Sequence, residues 1–183
     1  MKEVAASVML VEKVRYFAFS HVEACECDSM NEGLAVAPQA EPFCGIVAAM
    51  VSVQDHADQP PRTLADGEIL LLGSHSLQWH DTSHLPDGWG CGFLSEQTTK
   101  TLLCGDLFIQ GGIGDPPLIE SDIFGPSHAF CQAMDDFSYT KNTAMLIKKL
   151  VSTNPTNFAC MHGSAWSRDG ALLPRELCKT LTE

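Results

Sequence analysis

Short apolar stretches that alternate with polar turns divide this chain into strand-like and helix-like segments. Strand patterns cover 15–20, 68–72, 76–81, 92–96, 100–105 and 157–161. Apolar residues at helical spacing predict helices over 1–14, 31–36, 127–134, 143–152 and 173–181. The apolar segment 43–53 fits either element, whereas 55–66 and 111–117 have the composition of loops. This mixture predicts an α/β fold, and 183 residues suit a single domain over 1–183.

Four of the predicted strands end at or just before a residue that can bind a metal ion. These residues are His21, His84, Asp106 and His162. Rigid strands fix where their loops begin, so loops at one edge of a sheet can bring such side chains together. The pattern therefore predicts a metal site at a sheet edge.

The loop after the first strand carries three candidate ligands. If the backbone stays extended there, alternate side chains share a side, so His21, Glu23 and Cys25 can converge on one point. The imidazoles of His21 and His84 with the Glu23 carboxylate make a ligand set that suits non-haem iron(II). Zinc accepts the same donors, so the metal stays open at this point.

Asp106 lies in an apolar segment, 103–108, where a carboxylate is unusual. A buried carboxylate needs a cationic partner, and a position between two metal ions would meet that need. The alternative is an ordinary turn or capping residue.

Charge and cysteine content narrow the function classes. The net charge of -12 argues against nucleic acid and anionic membranes as partners, because their phosphates would repel the chain. The longest apolar run, 44–53, is too short to span a bilayer. The N-terminal segment lacks a signal-peptide pattern, and the eight cysteines show no paired C-x-x-C spacing. A cytoplasmic protein with reduced thiols is expected.

Four segments resemble landmarks of the metallo-β-lactamase superfamily, and within it the flavodiiron and oxygen-binding di-iron branch. They are HVEAC (21–25), TSHLPD (82–87), CGDLF (104–108) and MHGSAW (161–166), and the likeness runs from about Arg15 to Leu181. Hydrolytic members usually carry His-x-His-x-Asp-His at the first landmark, whereas the di-iron branch carries His-x-Glu-x-Asp. Glu23 sides with the di-iron branch. The resemblance implies a four-layer αββα sandwich.

The resemblance also implies a role for each candidate ligand. The ligands of a first iron would be His21, Glu23 and His84. Asp106 would bridge two irons, and His162 would bind the second. Two positions depart from the branch, because Cys25 stands where it has an Asp ligand and Glu26 where flavodiiron enzymes commonly have a His. A protein with one iron is therefore the alternative to a di-iron protein.

The N-terminal part is short for this superfamily. Only 20 residues precede His21, where the family has several strands and a helix. We therefore expect a sandwich that lacks part of the first half-sheet and exposes an apolar edge. Three explanations stay open: a fragment, a truncated gene product, or a subunit that pairs this edge in a homo-oligomer or with another partner.

The implied function is a di-iron or mono-iron site that binds or reduces dioxygen. The sequence has no glycine-rich phosphate loop, so electrons for reduction would come from an external donor. The alternative is a zinc-dependent hydrolase of esters, thioesters or amides, in which the metals activate a water molecule. Glu23 in place of the usual His argues against that alternative. A third interpretation, a degenerate remnant or interaction module, is favoured by Cys25 and the short N-terminal part.

Overall fold

Two β-sheets form the centre of the computed structural model, which describes residues 2–112 and 116–168 together with residues 173, 176 and 179. Within these residues the first sheet has three parallel strands, in the order β1 (Tyr16–Ala18), β2 (Glu41–Gly45) and β3 (Arg62–Leu64). The second sheet has the order β4 (Ile69–Leu72), β5 (His75–Asp81), β6 (Gly92–Glu96), β7 (Thr101–Leu103), β9 (Asn157–Ala159), β10 (Ala165–Ser167) and β8 (Leu118–Ile119). The neighbouring pairs β4–β5, β5–β6 and β6–β7 are antiparallel, while β7 and β9 are parallel.

Helices cover the outer faces of both sheets. The first group is α1 (Lys2–Val8), a 3₁₀ turn (Val11–Lys13), α2 (Ala24–Cys27) and α3 (Met30–Val36). A continuous helical stretch then comprises α4 (Ile46–Ala48), a π-helical turn (Ala49–Val53) and α5 (Gln54–His56). The second group is α6 (Phe124–Met134) and α7 (Thr143–Ser152). Among the described residues, none of the helices has the length and apolar composition of a membrane span.

Three buried apolar clusters separate four layers. The first joins α3 and the 46–56 helical stretch to the first sheet, through residues such as Leu34 and Cys44. The second lies between the two sheets and contains Phe43 and Trp79. The third joins the second sheet to α7 and contains Phe158 of β9 together with Ile147 and Leu150 of α7. The resulting order of helix, sheet, sheet and helix confirms the expected αββα sandwich.

Most predicted elements are present, with four differences. The ambiguous segment 43–53 contains both elements, because β2 ends at Gly45 and α4 begins at the next residue. The prediction of a loop over 55–66 is wrong at β3, where fully buried Leu64 pairs with Gly45. The prediction of one helix over 1–14 is wrong after Val8. The sequence patterns also missed the short strands β8 and β10 and the helix α2, which begins at Ala24 and ends the extended backbone expected after His21. Most of the predicted helix 173–181 and part of the predicted loop 111–117 lie outside the described residues.

A small cavity lies between the sheets at the β1 edge. Its volume is about 180 Å³, and Ala18 and Phe19 line it from the first sheet. Phe93 and Leu103 line it from the second sheet, and Cys160 lies at one side. Leu103 is 41% exposed, which is unusual for a leucine on a central strand. This cavity brings solvent close to the ends of β7 and β9.

The turn between β6 and β7 is organised by one carboxylate. Glu96 accepts hydrogen bonds from the backbone N–H groups of Thr98 at 3.0 Å and Thr99 at 2.6 Å, and from the Thr99 hydroxyl. His75 Nδ1 also lies 3.3 Å from Glu96 Oε1. The hydrogen bonds, foremost that from the Thr99 side chain, hold the pKa of Glu96 below its usual 4.5. The charged form is therefore favoured in the folded state.

This carboxylate should make stability depend on pH in the acid range. Because the folded-state pKa of Glu96 is lowered, its contribution is present above its ordinary pKa of 4.5 and is lost as the pH falls below that value. We expect Glu96→Gln to unfold at a lower temperature than the wild type near neutral pH, with the difference shrinking in acid. Thermal unfolding followed by circular dichroism measures this, with exposed Glu120→Gln as the control. A constant difference across the pH range would contradict the prediction.

Candidate metal centre

A buried carboxylate organises the loop that follows β1. Glu26, on α2, accepts the Ser20 N–H at 2.6 Å and the His21 N–H at 3.4 Å through Oε2. Its Oε1 accepts the Ser20 hydroxyl at 2.8 Å. The Glu26 side chain is 1% exposed, so these contacts are shielded from water. The loop therefore folds back onto α2 and holds the His21 backbone in place.

The same contacts set the protonation pattern of the His21 ring. Ser20 Oγ lies 2.8 Å from His21 Nδ1, and its single hydrogen points to Glu26. The hydrogen between Ser20 Oγ and Nδ1 must therefore belong to the imidazole. In the neutral ring, Nε2 then carries the free lone pair, and this is the form that binds a metal ion.

His21 Nε2 faces three carboxylates at distances too long for hydrogen bonds. It lies 3.6 Å from Glu23 Oε2, 3.6 Å from Asp87 Oδ2 and 3.7 Å from Asp106 Oδ2. Buried His21 Nε2, Asp87 Oδ2 and Asp106 Oδ1 have no hydrogen-bond partner among the described residues. One ligand atom from each of His21, Asp87 and Asp106 lies within 4.8 Å of the others. A cation placed among these buried acceptors would stabilise them.

Asp106 faces two imidazoles with its two carboxylate oxygens. Oδ2 lies 3.7 Å from His21 Nε2, and Oδ1 lies 3.7 Å from His162 Nε2. The His162 side chain is 40% exposed, whereas that of His21 is 4% exposed. The arrangement is suited to a carboxylate shared by two cations, with one side buried and the other open.

Burial and mutual repulsion act against the charged forms of the two aspartates. Burial raises the pKa of Asp87, and the charges of Asp106 and Glu23 raise it further, while His21 opposes them. Burial likewise raises the pKa of Asp106, against the opposing effects of His21 and His162. The cluster is therefore electrostatically unfavourable by itself and would be relieved by bound positive charge.

Four of the predicted ligands come together, and a fifth lies at the rim. His21, Glu23, Asp106 and His162 form the contacts above. Cys25 is exposed, with Sγ 3.8 Å from Glu23 Oε2. Burial, followed by the charges of Asp106 and Glu23, raises the pKa of the Cys25 thiol. In the metal-free chain this thiol therefore keeps its proton, which it would lose on binding a metal ion.

His84 is placed differently from the other predicted ligands. It is exposed and has a left-handed backbone with φ of 63°, and its N–H donates to the Gly88 carbonyl. Within the described part of the chain, the mutually close ligand atoms come from His21, Asp87 and Asp106, without His84. Asp87, three residues later in the same loop, is the functional candidate that sequence reasoning missed. The available signal was an acidic residue in the same strand-end loop.

Comparisons with known proteins support the architecture. No protein-family model matches the chain, and no curated protein matches it. Among solved structures, the rubredoxin oxygen:oxidoreductase of Desulfovibrio gigas matches with a TM-score of 0.80 and 16% identity, over 97% of this chain and 46% of that one. A metal-soaked flavodiiron core from Synechocystis matches with a TM-score of 0.78 and 20% identity, over 98% and 46%.

A chemotaxis sensor solved as a peroxy di-iron species matches with a TM-score of 0.78 and 16% identity, over 98% of this chain and 75% of that one. The chain thus spans less than half the length of the two flavodiiron structures. At these identities the comparisons establish the fold. The metallo-β-lactamase-like αββα architecture implied by the four landmarks is confirmed.

Proposed function

We propose that this chain binds iron at the cluster around His21 and binds or reduces dioxygen there. The observation that carries the proposal is the convergence of three buried atoms, His21 Nε2, Asp87 Oδ2 and Asp106 Oδ1, that have no hydrogen-bond partner in the part of the chain that the structure describes. The structural neighbours include an oxygen:oxidoreductase and a di-iron sensor, and these names support the dioxygen part of the proposal.

The ligands of a first ion would be His21 Nε2 and the carboxylates of Asp87, Asp106 and Glu23. Imidazole nitrogen with carboxylate oxygen is a donor set that suits iron(II) and also accepts zinc. The remaining oxygen of Asp106 with His162 would hold a second ion, and Cys25 would complete that side. The second site is more exposed and has fewer charged donors, so it should bind more weakly. We therefore expect the first site to fill before the second, so that a form with one iron exists at low iron concentration.

The chain's own residues would prepare the site before any ion binds. Ferrous iron, when bound, supplies a reducing centre that has affinity for dioxygen. Glu26 and Ser20 hold the His21 ring with Nε2 directed at the carboxylates. Such outer contacts fix the orientation and the tautomer of a ligand histidine. Electrons for a full reduction would come from a separate donor, so dioxygen binding needs fewer partners than turnover.

The zinc hydrolase is the second candidate, because the donor set accepts zinc as well as iron. Two zinc ions beside Asp106 would lower the pKa of a water molecule and create a hydroxide for attack on an ester, thioester or amide. The degenerate remnant is the third candidate and predicts that neither metal is retained. These three functions make different predictions about metal content.

Metal analysis after anaerobic purification separates the three functions. The first predicts about one to two irons per chain, with an absorbance that changes when dioxygen is admitted. Retained zinc with esterase or thioesterase activity would replace the iron proposal by the hydrolase. A chain that retains neither metal after anaerobic loading with ferrous ion or with zinc would overturn both proposals.

Matched variants in one loop test which residue completes the first site. We expect Asp87→Asn to weaken ferrous binding by roughly 10–100-fold or more, since even the loss of an outer-shell partner costs that much. His84→Asn should leave the affinity within about twofold, because the His84 side chain is exposed and outside the cluster. Anaerobic titration with ferrous ion measures both affinities. A large loss with His84→Asn and none with Asp87→Asn would restore the ligand set predicted from the sequence.

A further inference from the structure

Two cysteines lie side by side at the ends of neighbouring parallel strands. In β7 and β9, Thr101 pairs with Asn157 and Leu103 pairs with Ala159. The next residues along each strand are Cys104 and Cys160, and the Cys104 N–H donates to the Ala159 carbonyl at 3.1 Å. The pairing therefore continues one residue beyond both strands. It places the two cysteines opposite each other.

The sulfur atoms of these cysteines are already in contact. Cys104 Sγ lies 3.8 Å from Cys160 Sγ, and both are free thiols. Neighbouring strands are about 4.7–4.9 Å apart, which falls within the Cα separation of about 4.4–6.8 Å that disulfides span. Closing the bond therefore requires a side-chain rotation and not a rearrangement of the sheet. Partly exposed Cys160 has the freedom for that rotation, while Cys104 is fully buried.

The cavity between the sheets gives a small oxidant access to one of the two thiols. Cys160 lines this cavity of about 180 Å³, together with Met161 and Gly105. Cys104 is fully buried and does not line the cavity. An oxidant of the size of hydrogen peroxide would therefore meet Cys160 first, with Cys104 directly behind it.

We propose that Cys104 and Cys160 form an oxidation site, in which hydrogen peroxide converts the two thiols into an intramolecular disulfide. The Cys160 sulfur attacks one peroxide oxygen, the O–O bond breaks, and a sulfenic acid and one water molecule result. The Cys104 sulfur then attacks the Cys160 sulfur, the S–O bond breaks, and a second water molecule leaves. In total the two thiols lose two protons and two electrons, and one peroxide molecule takes them up.

The disulfide would connect the two loops that carry the open half of the metal centre. Cys104 is two residues before Asp106, and Cys160 is two residues before His162. The bond would fix the separation of the two backbone segments from which Asp106 Oδ1 and His162 Nε2 approach each other. The oxidation itself needs no metal ion, so its test is independent of the proposed function.

Peptide mapping of the whole chain tests the site directly. The reduced chain is treated with chelator, exposed to hydrogen peroxide, quenched, alkylated after unfolding and digested without reductant. We expect a peptide pair that contains Cys104 and Cys160, is lighter by two hydrogens than the sum of its parts, and separates on reduction. Cys131→Ser should still give this pair, because Cys131 lies on α6, whereas the two sulfurs in contact are those of Cys104 and Cys160. Recovery of Cys104 in fully alkylated form after oxidation of Cys160, or linkage of either cysteine to Cys25 or Cys27, would overturn the proposal.

The order of the two steps has its own readout. In Cys104→Ser the sulfenic acid on Cys160 has no partner, so a dimedone probe should label Cys160. In Cys160→Ser the buried Cys104 should stay unlabelled and alkylatable. Circular dichroism verifies that both variants are folded. Labelling of Cys104 instead of Cys160 would contradict the assignment of Cys160 as the thiol that the oxidant reaches.

Discussion

Asp106→Asn should remove metal binding from both halves of the centre while leaving the metal-free chain at least as stable as the wild type. The two oxygens of Asp106 face different imidazoles, Oδ2 towards His21 and Oδ1 towards His162. An amide offers one neutral oxygen in place of two charged ones, so neither ion keeps its ligand set. We expect ferrous affinity to fall by more than about 100-fold, since the loss of outer-shell partners alone costs roughly 10–100-fold.

The stability half of this prediction follows from electrostatics. Burial and the charges of Glu26 and Glu23 raise the pKa of Asp106, although His21 and His162 oppose them. Its charged form is therefore disfavoured in the metal-free folded chain, and none of the described residues forms a hydrogen bond with Asp106 Oδ1. A neutral side chain of the same shape removes that cost. A residue that lowers stability alone and binds metal strongly is the signature of a functional site.

Two measurements separate this result from simple misfolding. Metal content is determined after anaerobic loading and gel filtration, and thermal unfolding is followed in the presence of chelator. Asp58→Asn, an exposed loop substitution of the same chemistry, should match the wild type in both. Full iron content in Asp106→Asn would contradict the bridging role. A lower unfolding temperature of its metal-free form would contradict the electrostatic argument.

The main features of the fold could be predicted because local sequence patterns specify most of its strands and helices. Strand β5 alternates polar residues with Leu77 and Trp79, β6 and β7 are joined by a turn of polar residues, and α7 has its apolar residues at helical spacing. The strand β3 could not be found in this way, because its burial depends on one residue, Leu64, in a segment of Pro, Arg and Thr. Its pairing with β2 comes from tertiary packing, which outweighs local composition.

The sequence predicts which loops form the candidate site, but not every side chain that points into it. The principle that strand-end loops converge brought His21, Asp106 and His162 together correctly. In the 82–87 loop the same principle predicts His84, whereas the side chain that faces His21 is that of Asp87. The direction of a side chain in a loop depends on the backbone turn, and His84 has a positive φ that no sequence pattern specified.

Glu26 has a different meaning in the structure from the one its sequence position suggested. From the sequence it was a departure from the histidine that flavodiiron enzymes commonly have there. In the structure it is buried and accepts hydrogen bonds from the backbone and hydroxyl of Ser20. Through Ser20 it sets the tautomer of His21. Glu26, on α2, therefore orients the His21 ring through Ser20, and sequence spacing alone could not reveal this role.

Trp79 occupies the centre of the layer between the two sheets. Its side chain is 1% exposed and belongs to the cluster with Phe43, and its Nε1 donates to Asp81 Oδ1 at 2.7 Å. The ring lies so close to the backbone of Gly92 that a Cβ there would come within 2.2 Å of it. Any side chain at Gly92 would therefore displace the ring. Trp79 is thus packed on both sides, by the facing sheet and by its own neighbouring strand.

Trp79→Ala should consequently destabilise the chain by about 3–5 kcal/mol, the range for removing a large buried aromatic side chain. In a domain of this size that loss corresponds to a fall of roughly 6–20 °C in unfolding temperature. Trp89→Ala is the matched control, because Trp89 is 58% exposed and its loss should cost about 0.5 kcal/mol or less. Urea unfolding of both variants and the wild type gives the free energies directly. Equal losses in the two variants would contradict the placement of Trp79 between the sheets, because the larger loss is expected only for a buried tryptophan.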